Sequence, residues 1–186
     1  MMRNRLLAVP FAVTALMVAP AACTEPADVR DVPGTSSVPG RVSVQDADWM
    51  AQAHRVNLTE IEAGLLARHR SADAQVRAAG AMLVRDHRRL DAKLEATAAG
   101  LGVELPHAPS ARQRMELDAL KDREERLFNL AWMTAMIAGH EEAIEATQRE
   151  IARGSSPQVI ALARERLPVL REHRAELYEL KGMEGT

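Results

Sequence analysis

Cysteine, aromatic residues and lysine are all scarce in this 186-residue chain. A single Cys excludes an internal disulfide framework and any zinc or iron–sulfur cage built from thiolates. Aromatic residues make up 3% of the chain and β-branched runs are few, which argues against a sheet-based fold. Lys93, Lys121 and Lys181 are the only lysines, and 24 basic residues face 26 acidic ones for a formal net charge of −2. Such a chain lacks the excess positive charge that neutralises phosphates, so nucleic acid is excluded as a partner. Also missing are a phosphate-binding glycine loop, a nucleophile elbow and an HExxH motif.

What is present begins with an export signal. Arg3 and Arg5 precede the apolar run Leu6 to Ala19. As a helix that run is about 21 Å long, too short for a hydrocarbon core of ~30 Å but right for a signal peptide. Ala19-Pro20-Ala21 fits ordinary signal peptidase, whereas Ala21-Ala22-Cys23 resembles the end of a lipobox and would leave Cys23 lipidated. The sole Cys lies at this spot, which favours a signal over residues 1–22 with Cys23 as membrane anchor. Residues 23–45 are rich in Pro, Gly, Ser and Thr and read as a disordered tether, because they bury too little apolar surface to offset ordering entropy.

Residues 46–182 show apolar residues at helical spacing and no stretch of period two. The pattern predicts helix 1 from Asp46 to Arg70, capped by Asp46 or Asp48, and helix 2 from Ser71 to Ala99, stopped by Gly100 and Gly102. A loop with Pro106 and Pro109 and a short amphipathic piece over Met115 to Lys121 follow. Helix 3 spans Glu124 to Arg153, and helix 4 runs from Pro157 to near Gly182, with Pro168 expected to kink it or to remove a hydrogen bond. The expected architecture is all-α, an up-down four-helix bundle with a longer connection between helices 2 and 3.

Polar residues on the apolar seams carry the chemistry. In helix 2 the seam reads Val76, Gly80, Leu83, His87, Leu90, Leu94; in helix 3 it reads Met133, Met136/Ile137, His140, Ile144, Ile151; in helix 4 it reads Val159, Leu162, Leu170, His173, Leu177, Leu180. Helix 1 places Glu60 among Ala53, Val56, Ala63 and Ala67, with Glu62 and His69 on its polar side. Each helix thus offers one ionisable group to the interior: Glu60, His87, His140 and His173. Imidazole and carboxylate are ligands for zinc, copper and iron, and binding offsets the desolvation of burying them. Counting residues from the turns sets His140 and His173 level and leaves Glu60 ~7 Å out of level with His87. His54 is closer in height but lies at the edge of its arc. Asp86 and Glu172 are placed to orient neighbouring rings, and Met136 shares the His140 face, where its thioether would suit copper(I). A di-iron site needs a Glu three residues before the His on two helices; Val84 and Leu170 stand there instead, which argues against iron oxidation or storage. Arg166 could pair with Glu60 without metal. His107 is a loop residue, and Asn57-Leu58-Thr59 is treated as a chance glycosylation sequon.

The segments Thr59-Glu60-Ile61-Glu62-Ala63-Gly64, Asp86-His87, Phe128-Asn129-Leu130-Ala131-Trp132-Met133 with His140, and Leu167-Pro168-Val169-Leu170-Arg171-Glu172-His173 resemble, in order and spacing, exported bacterial helical proteins of domain-of-unknown-function family 4142. The likeness covers about Asp48 to Leu180. It implies a ferritin-like bundle in the cell envelope, with no established reaction and with Glu60, His87, His140 and His173 at characteristic polar positions. Asn129 stands where an Asp is common, and Gly139 replaces an acid before the third His. The function expected is an envelope-tethered, non-catalytic protein that binds or senses one copper or zinc ion. A metal-free structural or interaction module with a hydrogen-bonded His/Glu core is the alternative, and a metal-dependent oxidoreductase stands third.

Overall fold

The computed structural model describes residues 41–184, so the signal, Cys23 and most of the tether lie outside the described residues. Five α-helices and no strand occur among them: α1 Val44–Arg70, α2 Ala74–Leu101, α3 Ala111–Lys121, α4 Glu125–Arg153 and α5 Pro157–Glu184. None is long and apolar enough to cross a membrane.

Local chemistry sets the boundaries. Ser43, not Asp46 or Asp48, caps α1, and Asp46 is its capping-box partner: the Ser43 hydroxyl accepts from Asp46 N–H while the Asp46 carboxylate accepts from Ser43 N–H. The helix therefore begins inside the stretch expected to be tether. Asp73 caps α2 by accepting from Gln75 and Val76 N–H, leaving Ser71 as the end of α1. At its other end Gly102 takes φ 68, a conformation that glycine adopts without a Cβ clash. Ser110 caps α3 through a box with Gln113, which starts that helix four residues earlier than its apolar pattern announces. Pro168 sits within a continuous α5, where it has no N–H to give the carbonyl of Arg164, an exposed residue.

Packing pairs α1 with α2 and α4 with α5, and then joins α1 to α4 and α2 to α5. Trp132 Nε1–H donates to Ala63 O near one end of α1, while Asp46 at the other end accepts from Ser155 and Ser156 N–H, so α1 and α4 are antiparallel. The contacts of Gly64 with Gly80 and of His54 with Asp91 make α1 and α2 antiparallel as well. It follows that α2 and α4 run the same way. The alternation of directions expected from the sequence breaks there, because residues 102–124 carry the chain back along the helices, with α3 packed on α1 and α4. The backbones of α1 and α2 approach closely at Gly64 and Gly80, where a Cβ on either would lie 2.6 or 2.7 Å from the other's carbonyl oxygen.

Two apolar clusters fill the ends. Ala63, Leu83, Phe128, Trp132 and Leu177 pack near the α1–α2 turn, and Trp49, Met50, Leu94, Val159 and Ala163 pack near the α4–α5 turn. Between them lies a layer containing buried Asn57, Glu60, His87, His140, Arg166 and His173.

At the α4–α5 turn, buried Glu150 accepts from Gln45 Nε2–H beside Asp46. Burial first, then the neighbouring Asp46, raises Glu150 to about 7. Burial opposes ionisation of Asp46 too, yet donors from Ser43 and Ser156 outweigh it and hold that carboxyl at about 2. A folded-state pKa above the unfolded value of 4.5 means that the proton held by Glu150 stabilises the fold below pH 4.5, and that this stability is lost as pH rises to about 7. Relative to Glu150→Gln, the wild-type protein is expected to lose about 1–3 kcal/mol between those limits, as measured by urea unfolding across pH. A constant difference between the two proteins would contradict the buried, protonated carboxyl.

Candidate metal centre

The polar layer is built from one orienting residue. Asn57 on α1 donates from Nδ2 to Asp91 Oδ1 at 2.8 Å, which fixes which end of its amide is the oxygen. That oxygen accepts from Arg166 Nη1–H at 2.7 Å and meets His87 Nδ1 at 3.1 Å. An amide oxygen only accepts, so His87 carries its proton on Nδ1 and presents a bare lone pair at Nε2. That atom is buried and has no hydrogen-bond partner.

The other two rings follow the same logic. His140 Nδ1–H donates to Met136 O at 2.9 Å, leaving Nε2 bare. His173 Nε2 lies 3.3 Å from Asp86 Oδ2, and that carboxylate is held ionised, against its burial, by Arg85 and by His173 itself. His173 Nδ1 therefore turns inward, 3.3 Å from His140 Nε2. The three ring centroids are 5.4–5.5 Å apart, and one ligand nitrogen from each His lies within 4.8 Å of the others.

Electrostatics keep these rings neutral. Burial, followed by the nearby His140, Arg166 and His173, drives His87 well below the ordinary imidazole value. Burial alone outweighs the Met136 hydrogen bond and takes His140 to about 3, and His173 is lowered chiefly by burial despite Asp86. Three neutral imidazoles thus aim lone pairs at one another with no proton between them, a repulsive arrangement that a cation relieves. Tetrahedral bonds of 2.0–2.1 Å place ligand nitrogens about 3.3 Å apart, the spacing of His140 and His173. Each outer nitrogen is held by an amide oxygen, a backbone carbonyl or a carboxylate, as metal-binding histidines require.

Of the four groups expected to converge, His87, His140 and His173 do so and Glu60 does not. Its Oε1 lies 3.4 Å from the outer Nδ1 of His140, and its Oε2 is buried without a partner. Burial raises Glu60 to about 8 in spite of Arg166. Asp86 backs His173 and is no ligand. Met136 contributes its carbonyl, while its side chain joins the apolar cluster. His54 is bonded to Asp91 at 2.8 Å and belongs to a separate group with Asp91 and Glu95. Glu172 is exposed and orients nothing in the layer. Arg166 donates to Asn57 and makes no hydrogen bond to Glu60; burial lowers it to about 10. Gly139 has a steric role, since a Cβ there would come within 3.1 Å of Glu60 Oε1.

Sequence reasoning missed Asn57 and Asp91. The signal was available: Asn57 lies three residues before Glu60 on the same helical face, and Asp91 lies four residues after His87.

The family described as Domain of unknown function (DUF4142) matches residues 33–180. No curated protein matches the chain. The crystal structure of a DUF305 fragment from Deinococcus radiodurans is similar in fold, with a TM-score of 0.68 and 16% sequence identity over 77% of this chain and 99% of that one.

Proposed function

We propose that this chain, which belongs to the family described as Domain of unknown function (DUF4142), holds one zinc or copper ion on His87, His140 and His173 in the service of binding or sensing rather than catalysis. The observation that carries this reading is the convergence of three lone-pair nitrogens whose outer partners fix them in place. When bound, the ion supplies the positive charge that the buried imidazoles lack. Neutral imidazole suits both metals. Asn57, the Met136 carbonyl and Asp86 orient the rings, and the apolar ends of the core keep water from competing. The four long helices are read as a ferritin-like bundle, supported by their mutual packing and by a single long crossover.

Exchanged against zinc or copper and then desalted, the purified protein is expected to retain one ion per chain by elemental analysis. His140→Ala and His173→Ala are expected to retain almost none. Equal retention by these variants, or none by the wild type, overturns the metal reading and favours the metal-free polar core.

The location proposed is the cell envelope, with Cys23 as lipid anchor and residues 23–45 as a leash, supported by the signal-like residues 1–22. Intact mass of the protein expressed in a bacterium is expected to show acyl chains on Cys23. An unmodified N-terminus after Ala21 or Ala22 rules out the anchor.

A further inference from the structure

A cavity of about 700 Å³ lies between α1, α3 and α4, on the far side of Glu60 from the histidines. Its wall is mostly apolar, with Val56, Leu117, Leu120, Leu130 and Ala135 among its lining, and exposed Leu127 and Leu130 mark its mouth. Across the mouth Arg112 of α3 binds Glu142 of α4 at 2.8 Å, so the rim cations and anions are in part already paired. Glu60 and Gly139 also line it. Glu60 is 3% exposed and its Oε2 has no hydrogen-bond partner. A buried polar atom left without a partner is unfavourable, and a ligand bearing one complementary group relieves it. Gly139 keeps this stretch of wall free of a side chain that would press on the carboxyl.

We infer that this cavity binds an uncharged, largely apolar small molecule whose single hydroxyl group hydrogen-bonds the Glu60 carboxyl in its wall. Volume and lining match those of small-molecule sites, which combine apolar walls with few polar groups. Of the charged lining residues Arg112, Glu116, Arg123 and Glu142 are exposed and Arg55 is half-buried, so a ligand charge would meet them only at the hydrated rim, where ion pairs contribute little. The inference does not depend on the metal reading, because none of the three histidines lines the cavity.

Two probes of one shape test it: 2-naphthol, which carries the hydroxyl, and naphthalene, which does not. Titrated calorimetrically into the full-length protein, 2-naphthol is expected to bind at least about tenfold more tightly than naphthalene. Glu60→Leu is expected to abolish that preference, and Ala138→Trp, an exposed position on the cavity wall, to weaken both probes about tenfold or more. Metal-free His87→Ala is expected to bind 2-naphthol as the wild type does, so that loss of metal and loss of ligand are read separately. Failure of either probe to saturate the wild type, equal affinities in the wild type, full binding by folded Ala138→Trp, or lost binding in His87→Ala each overturns the assignment.

Discussion

At a thousandfold excess of zinc over its dissociation constant, the melting temperature of the wild-type protein is expected to rise by about 10 °C, and in His87→Ala that rise is expected to vanish. The size follows from linkage: an ion that binds only the folded chain adds about 4 kcal/mol at that excess. His87 is the most informative position because its Nε2 is buried and has no hydrogen-bond partner. His140 Nε2 and His173 Nδ1 lie 3.3 Å apart, whereas His87 Nε2 has no polar atom at hydrogen-bond distance. Scanning calorimetry with and without zinc measures the increment within each protein, which removes the effect of the substitution on the metal-free fold. An increment that survives in His87→Ala would place the ion elsewhere, for example on His54, Asp91 and Glu95.

The second large effect is expected at a residue that binds no metal. Asn57→Leu is expected to destabilise the metal-free protein by about 3–5 kcal/mol and to weaken zinc binding about 10–100-fold. The stability cost arises because Asn57 Oδ1 is the acceptor for Arg166, a guanidinium only 2% exposed whose Nε and Nη2 already lack partners. Removing that oxygen leaves a buried guanidinium without a hydrogen-bond acceptor. The affinity cost has a different origin: without the same oxygen His87 Nδ1–H loses the acceptor that fixes its tautomer and ring angle. A second substitution separates the two. Adding Arg166→Met to Asn57→Leu is expected to restore most of the stability and none of the affinity, read by urea unfolding and by zinc titration. Recovery of both together would mean that Asn57 acts only through Arg166.

How far the sequence reaches can be judged residue by residue. His87, His140 and His173 each occupy the centre of an apolar seam, and a seam is a property of one helix, so their inward direction was legible without tertiary structure. Glu60 was equally legible as inward, and it is buried. Its failure to join the three imidazoles is a matter of height along the bundle, which periodicity does not report. The ~7 Å mismatch between Glu60 and His87 reckoned from the turns pointed to the difficulty. What it could not show is that Asn57, one turn earlier on α1, reaches both His87 and Asp91 through the two ends of its amide. Glu172 failed for another reason: it adjoins His173 in sequence, but consecutive residues on a helix point about 100° apart, and this one faces solvent.

By itself the amino-acid order determined the helices, their apolar faces, the breaks at Gly102 and at Gly154 to Pro157, and the inward aim of three imidazoles. Those are consequences of spacing and backbone preference within single segments. Tertiary structure decided the return of the chain between α2 and α4, the axial register and the role of each polar group. That register is set where Gly64 and Gly80 let two backbones touch, and sliding α1 past α2 from that point would move Asn57 away from His87. Contact distances between helices depend on both partners at once, which is why no pattern along one of them contains the answer.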